Sequence, residues 1–394
     1  MSGFLATTLW FSLGCVVYTY FGYPLLLIAM ASLRQLRTDW QLLSRGATRR
    51  VGATSELPSV AVLVAAFNEE RHVADRIRNI LEQDYPADRL RLFVGSDASS
   101  DRTDEIVRSL ACERLTFTAF ADRRGKASVI NDLAAMAEAE ILVFTDANTH
   151  FRADTVAKLV RHFPRPEVGC VCGELRLAGA SGAGENQDHV YWRYERLLKF
   201  YESRIGGLLG ANGGVYALRR ADFAPIPADT IVDDFWISMR VVERGMRCVY
   251  DPEAVATEGT PERIGDEFRR RVRIGMGNYQ AFRRFGHLLD PRRGALAFTF
   301  LSHKCLRWLA PHFMALALVS NALLSGQGAY AVLLAGQVVF YASAGIGWHF
   351  ARTGVAPRPL RIPLFFVSMN VALLIGSWKY LTTRSSGTWA RSAR

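Results

Sequence analysis

Five side chains that follow apolar segments could carry chemistry: Asp97, Asp146, Asn148 and the adjacent pair Asp233 and Asp234. The divalent cations Mg²⁺ and Mn²⁺ take oxygen ligands, often one or two from a protein together with phosphate oxygens. Asp146 offers a carboxylate and Asn148 an amide oxygen, so this pair is predicted to bind Mg²⁺ or Mn²⁺. A metal there would stabilise the charge that develops on a leaving diphosphate.

The pair Asp233 and Asp234 could activate an acceptor hydroxyl, which is a poor nucleophile at neutral pH. A positioned carboxylate can take the proton of the hydroxyl as it attacks. Adjacent residues point in different directions, so we expect one of the two to do this. Residues 235–242 have a helical pattern, and acidic residues are also favoured at the start of a helix. Both roles are compatible at this position.

A basic stretch between Glu262 and Arg293 contains nine arginines and four acidic residues. Its apolar residues recur at helical spacing, which predicts an amphipathic helix that could lie in a membrane interface. Arg270 and Arg273 could instead reach a diphosphate, because the guanidinium fork suits phosphate oxygens. A lipid-binding or solvated face and a diphosphate site therefore both remain open.

The elements that would position these residues alternate between strands and helices. Apolar runs rich in Val and Ile predict strands at 60–66, 90–95, 116–120, 141–145 and 168–173. Helical spacing between them predicts helices at 71–83, after Asp101, at 127–139 and at 153–163. This alternation indicates βαβ units and an α/β fold with a mostly parallel sheet.

Three polar residues fall at the ends of successive predicted strands: Asn68, Asp97 and Asp146. In such sheets, ligands bind beyond the carboxyl ends of the strands. Asp and Asn are also common in turns. Three of them at successive strand ends nevertheless favour a binding site.

Apolar segments lie at both ends of the chain, which is long enough for more than one domain. Residues 1–33 contain no charged side chain, and without a basic start they predict an uncleaved membrane anchor rather than a signal peptide. Three further spans are predicted at 309–324, 330–350 and 362–381, with buried core helices as the alternative. The predicted domains are an anchor at 1–33, a basic linker at 34–57, a catalytic domain at 58–260, interface helices at 261–308, membrane helices at 309–383 and a basic tail at 384–394.

The net charge of +11 is concentrated beside these apolar segments. Five arginines within 34–50 follow the first span, which predicts a cytoplasmic central region by the positive-inside rule. The arginines of the tail would then be external, against that rule. Nucleic-acid binding is disfavoured, because arginines beside membrane segments fit attraction to anionic membrane lipids better.

Two further segments lead to smaller predictions. The six cysteines include no Cys-x-x-Cys pair, and Cys170 and Cys172 lie in an apolar run that would place both on one face of a strand. Reduced thiols in a cytoplasmic domain are expected. Residues 176–187 are rich in Gly, Ala and Ser and predict a mobile loop, followed by a helix whose aromatic residues could stack on a sugar or pack in the core.

The order of these motifs resembles that of membrane-embedded family 2 glycosyltransferases, the group that includes cellulose, hyaluronan and chitin-oligosaccharide synthases. The resemblance covers nearly the whole chain and implies a nucleotide-sugar-binding domain of the GT-A type. Residues 65–70, with Asn68 and Glu70, resemble the opening motif that contacts the nucleotide base. Residues 96–101, with Asp97, resemble a segment that binds the nucleoside. Lys126 with Asn131 resembles an element near the ribose and the diphosphate.

The remaining motifs lie on the metal and acceptor sides of the family's site. Residues 146–148 stand where the family has Asp-x-Asp, the metal motif. Residues 210–214, with Asn212 and Gly213, resemble the acceptor-side glycine segment. Residues 232–234 stand where many members have Thr-Glu-Asp, which places Asp233 beside the acceptor and makes Asp234 the implied catalytic base.

Two departures from the family pattern affect the metal and the acceptor. Asn148 replaces a carboxylate, which weakens metal binding without abolishing it, because an amide oxygen can still coordinate. The family's Gln-x-x-Arg-Trp appears as residues 270–274, where Arg273 is kept but Arg270 and Ile274 replace Gln and Trp. In processive synthases this Trp helps to form the acceptor site, so its loss argues against long-chain synthesis.

The resemblance implies an inverting transfer from a nucleotide sugar, most simply a UDP-sugar, to a lipid-linked sugar or growing glycan. The expected location is the cytoplasmic face of a bacterial inner membrane, in cell-surface glycan synthesis, with other polysaccharide-assembly proteins as further partners. Two alternatives remain. One is a processive synthase that exports its polymer, and the other is an inactive scaffold or glycan-binding subunit, against which the intact Asp234 counts.

Overall fold

The computed structural model describes residues 2–45, 56–178, 185–259, 264–353 and 356–383. Its strands are β1 (Val60–Ala66), β2 (Leu90–Asp97), β3 (Leu115–Phe120), β4 (Ile141–Asp146), β5 (Thr149–Phe151), β6 (Val168–Ala178), β7 (Tyr216–Arg219) and β8 (Arg247–Gly259). Its helices before β8 are α1 (Ser2–Val17), α2 (Tyr23–Arg45), α3 (Val73–Leu81), α4 (Thr103–Ser109), α5 (Lys126–Met136), α6 (Thr155–Val160), α7 (Glu185–Ile205) and α8 (Asp233–Glu243). Those after β8 are α9 (Ile264–Phe285), α10 (Ala295–Thr299), α11 (Leu306–Leu324), α12 (Gly328–Thr353) and α13 (Arg358–Thr382).

The strands in the described ranges form one sheet in the order β3-β2-β1-β4-β7-β6-β8-β5. Strands β1 to β4 pair in parallel, as do β6 and β8, whereas β7 and β5 run antiparallel to their neighbours. The predicted α/β fold with a mostly parallel sheet is therefore confirmed. Because β1, β2 and β4 are parallel neighbours, their carboxyl ends meet at one edge of the sheet.

Strand β1 is buried along its whole length because helices cover both faces of the sheet. Val60, Val62 and Val64 pack in one core with residues of α3, α4 and α6. Ala61 and Leu63 pack in a second core with residues of α5 and α8. Successive side chains of a strand point to opposite faces of the sheet, so the single apolar run of β1 packs against helices on both sides.

The cysteines follow the same alternation. Cys170 and Cys172 of β6 lie in the second core together with Cys248 of β8, so the predicted shared face is confirmed. All six cysteines lie in the described ranges and are free thiols.

Three strands were not predicted from the sequence. Strands β5 and β7 are too short to show a pattern, and in β8 Asp251, Pro252 and Glu253 interrupt the apolar run. The predicted loop at 176–187 was too long, because β6 continues to Ala178 and α7 begins at Glu185. Residues 179–184 of that prediction lie outside the described residues.

Three described helices are long and apolar enough to cross a membrane: Ser2–Ser44, Gly328–Arg352 and Arg358–Thr382. The first extends beyond the predicted anchor, because α1 runs through a π-helical segment, Tyr18–Gly22, into α2. Helix α11 covers the span predicted at 309–324 and packs on α1 through Ala317 and Leu9. Helix α11 is not among these three, so the fourth span stays a prediction.

The predicted amphipathic helix is confirmed as α9, but it does not lie free on one side. Its Phe285 is buried beside α8, and its Gly275 lies against the backbone of α13. A Cβ built on Gly376 of α13 would lie 2.7 Å from the backbone nitrogen of Met276. Helix α9 therefore joins a candidate membrane helix directly to the sheet domain.

Candidate functional site

Asp97 ends β2 and is fully buried. Its carboxylate accepts hydrogen bonds from the backbone N–H groups of Arg124 at 2.7 Å and Gly125 at 2.9 Å. Gly125 has a φ of 87°, a conformation that glycine tolerates without a steric penalty. Asp97 thus holds the loop that presents Lys126 at the start of α5. Its predicted contact with a nucleoside stays a prediction.

The loops after β1 and β2 bind each other. The side-chain oxygen of Asn68 accepts the backbone N–H of Ser100 at 2.8 Å. The backbone N–H of Glu70 donates to Asp101 at 3.2 Å, and the carboxylate of Glu70 accepts the N–H of Arg102 at 3.3 Å. The predicted donor residues Asn68 and Glu70 therefore belong to one rim at the carboxyl edge of the sheet.

Lys126 lies between two carboxylates that come from distant parts of the chain. Its ammonium is 2.8 Å from Oδ1 of Asp146, at the end of β4, and 3.0 Å from Oδ2 of Asp233, at the start of α8. Burial opposes the charge of Lys126, but the two carboxylates outweigh it and raise its pKa above the ordinary value. The predicted metal side and the predicted acceptor side therefore meet at this lysine.

Asp234 is half-buried at the start of α8, and its Oδ1 accepts the backbone N–H of Phe235 at 2.7 Å. Burial, together with the charge of Asp233, raises the pKa of Asp234 to about 6, although Lys126 acts in the opposite direction. A Cβ on Gly213 would lie 3.0 Å from Oδ2 of Asp234, so this glycine keeps the approach to the carboxylate open. A carboxylate with such a pKa suits a general base near neutral pH.

Asn212 fixes the acceptor-side loop. Its side-chain nitrogen donates to the carbonyl of Gly173 at 2.7 Å, and its side-chain oxygen accepts from Lys199 of α7. Asn212 is only 9% exposed, so its described contacts hold the loop and leave Gly213 facing Asp234. The predicted acceptor contact of Asn212 stays a prediction.

Asp146 ends β4, and Asn148 follows two residues later, directly before β5. Within the described ranges, no three His, Cys, Asp or Glu side chains form a metal-binding group by themselves. The pair still fits Mg²⁺ or Mn²⁺, because such cations need only one or two protein ligands when phosphates supply others. The ammonium of Lys126 contacts Oδ1 of Asp146, so this carboxylate already binds a positively charged group.

Two arginines of α9 face the site. Arg270 lies 4.0 Å from Glu258 and 3.7 Å from Glu267, and these acids raise its pKa although burial opposes them. Arg273 donates to the carbonyl of Ile231 at 3.4 Å, and burial lowers its pKa. Both arginines therefore lie within the electrostatic reach of Asp146 and Asp234, and their predicted contact with a diphosphate stays a prediction.

Three residues at the site were missed from the sequence. Arg76, fully buried under β4, donates to the hydroxyl of Thr145 at 2.7 Å, and burial lowers its pKa to about 9. Glu258 lies beside Asn148, and Lys199 lies on Asn212. Arg76 and Lys199 sit in helices without a motif, and Glu258 lies in the strand that the sequence did not predict.

The fold is similar to that of a solved enzyme over nearly its whole length. The mannosyltransferase PcManGT from Pyrobaculum calidifontis, solved in complex with GDP-Man and Mn²⁺, has a TM-score of 0.65 and 24% sequence identity. The match covers 91% of this chain and 97% of that one. Together with the sheet order, this likeness confirms the predicted fold of the GT-A type.

Residues 61–224 match the family model described as Glycosyl transferase family 2. The resemblance to family 2 glycosyltransferases that was read from the motifs is confirmed over these residues.

Curated relatives include poly-beta-1,6-N-acetyl-D-glucosamine synthases from Staphylococcus aureus strain COL and from Staphylococcus epidermidis, each 26% identical over 236 residues. These matches cover 58% of this chain and 57% of each relative. The chain therefore spans a little over half the length of the curated relatives that it matches.

Proposed function

We propose that this chain is an inverting membrane glycosyltransferase of cell-surface polysaccharide synthesis. It moves a sugar from a nucleotide-sugar donor, most simply a UDP-sugar, to a lipid-linked sugar or a growing glycan. The observation that carries the proposal is the position of Asp234. This half-buried carboxylate has a raised pKa and lies beside the cluster of Lys126, Asp146 and Asp233. A proton acceptor and a diphosphate site thus lie at the same edge of the sheet.

The donor binds along the carboxyl edge, where Asn68, Glu70 and Asp97 shape the nucleoside side. Lys126, Arg270 and Arg273 supply positive charge for the diphosphate, and arginine in particular can bind two phosphate oxygens at once. The raised pKa of Lys126 keeps this ammonium charged throughout the physiological pH range.

Asp146 and Asn148 would hold a divalent cation, Mg²⁺ or Mn²⁺. When bound, such a cation stabilises the negative charge of the leaving diphosphate. The Mn²⁺ named for the mannosyltransferase PcManGT agrees with this assignment.

The acceptor approaches from the side of Asn212, Gly213 and Asp233. Asp234 takes the proton of the acceptor hydroxyl as its oxygen attacks the anomeric carbon, and the bond from that carbon to the diphosphate breaks. The configuration at the anomeric carbon inverts in a single displacement. At neutral pH most Asp234 side chains are ionised, because the pKa of about 6 lies below that pH.

The location at the cytoplasmic face of an inner membrane is supported by the three apolar helices and the arginines that follow the first of them. A membrane-bound enzyme can take an acceptor that is anchored in lipid. Other polysaccharide-assembly proteins are the further partners that this pathway class would require.

A second candidate is a processive synthase, and the names of the staphylococcal relatives favour it. Nucleotide-linked N-acetylglucosamine is therefore the first donor to test. A ladder of long products would support the processive enzyme, whereas a single added sugar would support one transfer per acceptor.

The main test replaces Asp234 by Asn in the full-length chain, assayed in lipid discs with a panel of nucleotide sugars and extracted membrane lipids. We expect sugar transfer, read by mass spectrometry, to fall by about 10²–10⁴-fold, because the base is lost. Asp75→Asn is the matched control, since that side chain is 76% exposed on α3. Unchanged transfer by the Asp234 variant would overturn the mechanism, and no transfer by the wild type with any donor would favour the inactive subunit.

A further inference from the structure

Two residues that depart from the family pattern, Asn148 and Arg270, lie on either side of one buried carboxylate, that of Glu258. Its Oε1 accepts a hydrogen bond from the side-chain nitrogen of Asn148 at 3.3 Å. Its Oε2 lies 4.0 Å from Arg270. The Glu258 side chain is only 3% exposed, so these contacts are shielded from water.

The fold places Glu258 there through a strand pair that the sequence did not reveal. Strand β5 follows Asn148 directly and pairs antiparallel with β8, with Thr149 opposite Glu258. Glu258 is the next-to-last residue of β8, so it reaches the same edge of the sheet as the end of β4. Its position is therefore fixed by backbone pairing.

The contact decides which end of the Asn148 amide is available to a cation. An ionised carboxylate only accepts hydrogen bonds, whereas an amide has a donating nitrogen and an accepting oxygen. Glu258 therefore holds the nitrogen of Asn148 and leaves the amide oxygen as the end that can bind a metal. An amide without such a partner could turn either end towards the site.

The same contact favours an amide over a carboxylate at residue 148 when no cation is bound. A carboxylate at 148 would stand about 3.3 Å from that of Glu258, and two like charges at such a distance disfavour ionisation of both. One negative charge fits there, and here residue 258 carries it. Arg270, in place of the family's Gln, supplies the opposite charge on the other side of Glu258.

We propose that Glu258 is the second carboxylate of the donor-side cation site, moved from residue 148 to β8. It orients the amide of Asn148 and supplies the negative charge that residue 148 lacks. The inference rests on the proposed divalent-cation site at Asp146 and Asn148. It makes Glu258 a positioning residue whose loss a carboxylate at 148 can repair.

The test measures Mn²⁺ binding by electron paramagnetic resonance of the detergent-solubilised full-length chain, with UDP present and separately with GDP. We expect Glu258→Gln to weaken Mn²⁺ binding by about 10- to 100-fold, as losses of residues behind a metal ligand do. The double variant Asn148→Asp with Glu258→Gln should return the affinity to within about threefold of the wild type, because the charge is restored.

Glu253→Gln is the matched control, since Glu253 lies on the same strand but its side chain is 58% exposed and paired with Arg161. Its Mn²⁺ affinity should equal that of the wild type. Unchanged binding by Glu258→Gln, or no recovery in the double variant, would overturn the role of Glu258 alone. A wild-type chain that binds no Mn²⁺ with either nucleotide would overturn the proposed cation site and this inference together.

Discussion

Lys126 joins the two chemical halves of the site at the scale of single residues. Its ammonium contacts Asp146 on the donor side and Asp233 beside the proposed base, Asp234. Its charge lowers the pKa of Asp234, while burial and Asp233 raise it more strongly. The pKa of the proposed base therefore depends on Lys126, Asp146 and Asp233, which lie beside the proposed diphosphate site.

The raised pKa of Asp234 predicts the pH dependence of the reaction. Only the ionised carboxylate accepts a proton, so kcat/KM should be constant well above pH 6 and fall by about tenfold per pH unit below a pKa of about 6. The measurement is the rate of sugar transfer from pH 4.5 to 8.5, with protein stability followed in parallel. An acid limb centred near 3.8, the ordinary aspartate value, would contradict this environment.

The sequence predicted Asp146 because it follows a strand with a clear apolar run. It predicted Asp233 and Asp234 as an acidic pair before a helical pattern, and Lys126 through its resemblance to a family motif. Asp146 and Asp233 were expected on the donor and acceptor sides, and their common contact with Lys126 agrees with that arrangement. Glu258 could not be predicted, because its strand is interrupted by polar residues and its partner, Thr149, lies in a strand of three residues. Antiparallel pairing over such distances leaves no local pattern in the sequence.

Among the elements of the fold, helix α9 lies between α13 and the loop that precedes Asp233. Gly275 lies against the backbone of α13, and Gly277 lies against Ile231 and Val232, directly before Asp233. Arg271 packs over Phe365 of α13 at 4.9 Å. The helix thus holds the loop of the proposed base at a fixed distance from a candidate membrane span.

Replacing Gly277 by Ala should disturb this arrangement. The new Cβ would lie 2.4 Å from Cγ2 of Val232 and 3.1 Å from Cγ2 of Ile231, so these two side chains, which directly precede Asp233, must shift. We expect kcat to fall by roughly 10- to 100-fold, since a shift of about 1 Å in a catalytic group has such effects. The measurement is steady-state kinetics of the variant, with donor KM compared.

Gly265→Ala is the control on the same helix, where a Cβ meets nothing within 4 Å. It should leave kcat unchanged, because the added methyl group meets no other part of the chain. Equal kinetic effects of the two substitutions would contradict a role of Gly277 in positioning the base.

In the molecule as a whole, a buried polar cluster joins the first candidate membrane helix to the sheet domain. The hydroxyl of Tyr23 and Nδ1 of His303 each lie 2.6 Å from the same carboxylate oxygen of Glu202 in α7. Arg307, at the start of α11, donates a hydrogen bond to Glu195, which also lies in α7. Since buried polar groups need such partners, this cluster fixes the inner end of the anchor on the domain.

Because the anchor and the domain are attached, the side of the membrane on which the domain lies can be tested by labelling one of its cysteines. Cys112 is exposed on the catalytic domain, Cys15 lies in the membrane anchor, and the other four cysteines are buried. We propose that the domain faces the cytoplasm, so a membrane-impermeant maleimide should label Cys112 in inverted inner-membrane vesicles and not in intact spheroplasts. Cys112→Ser should remove the label, which excludes Cys15 as its source. Labelling of Cys112 in intact spheroplasts would place the domain outside and contradict the use of a cytoplasmic nucleotide sugar.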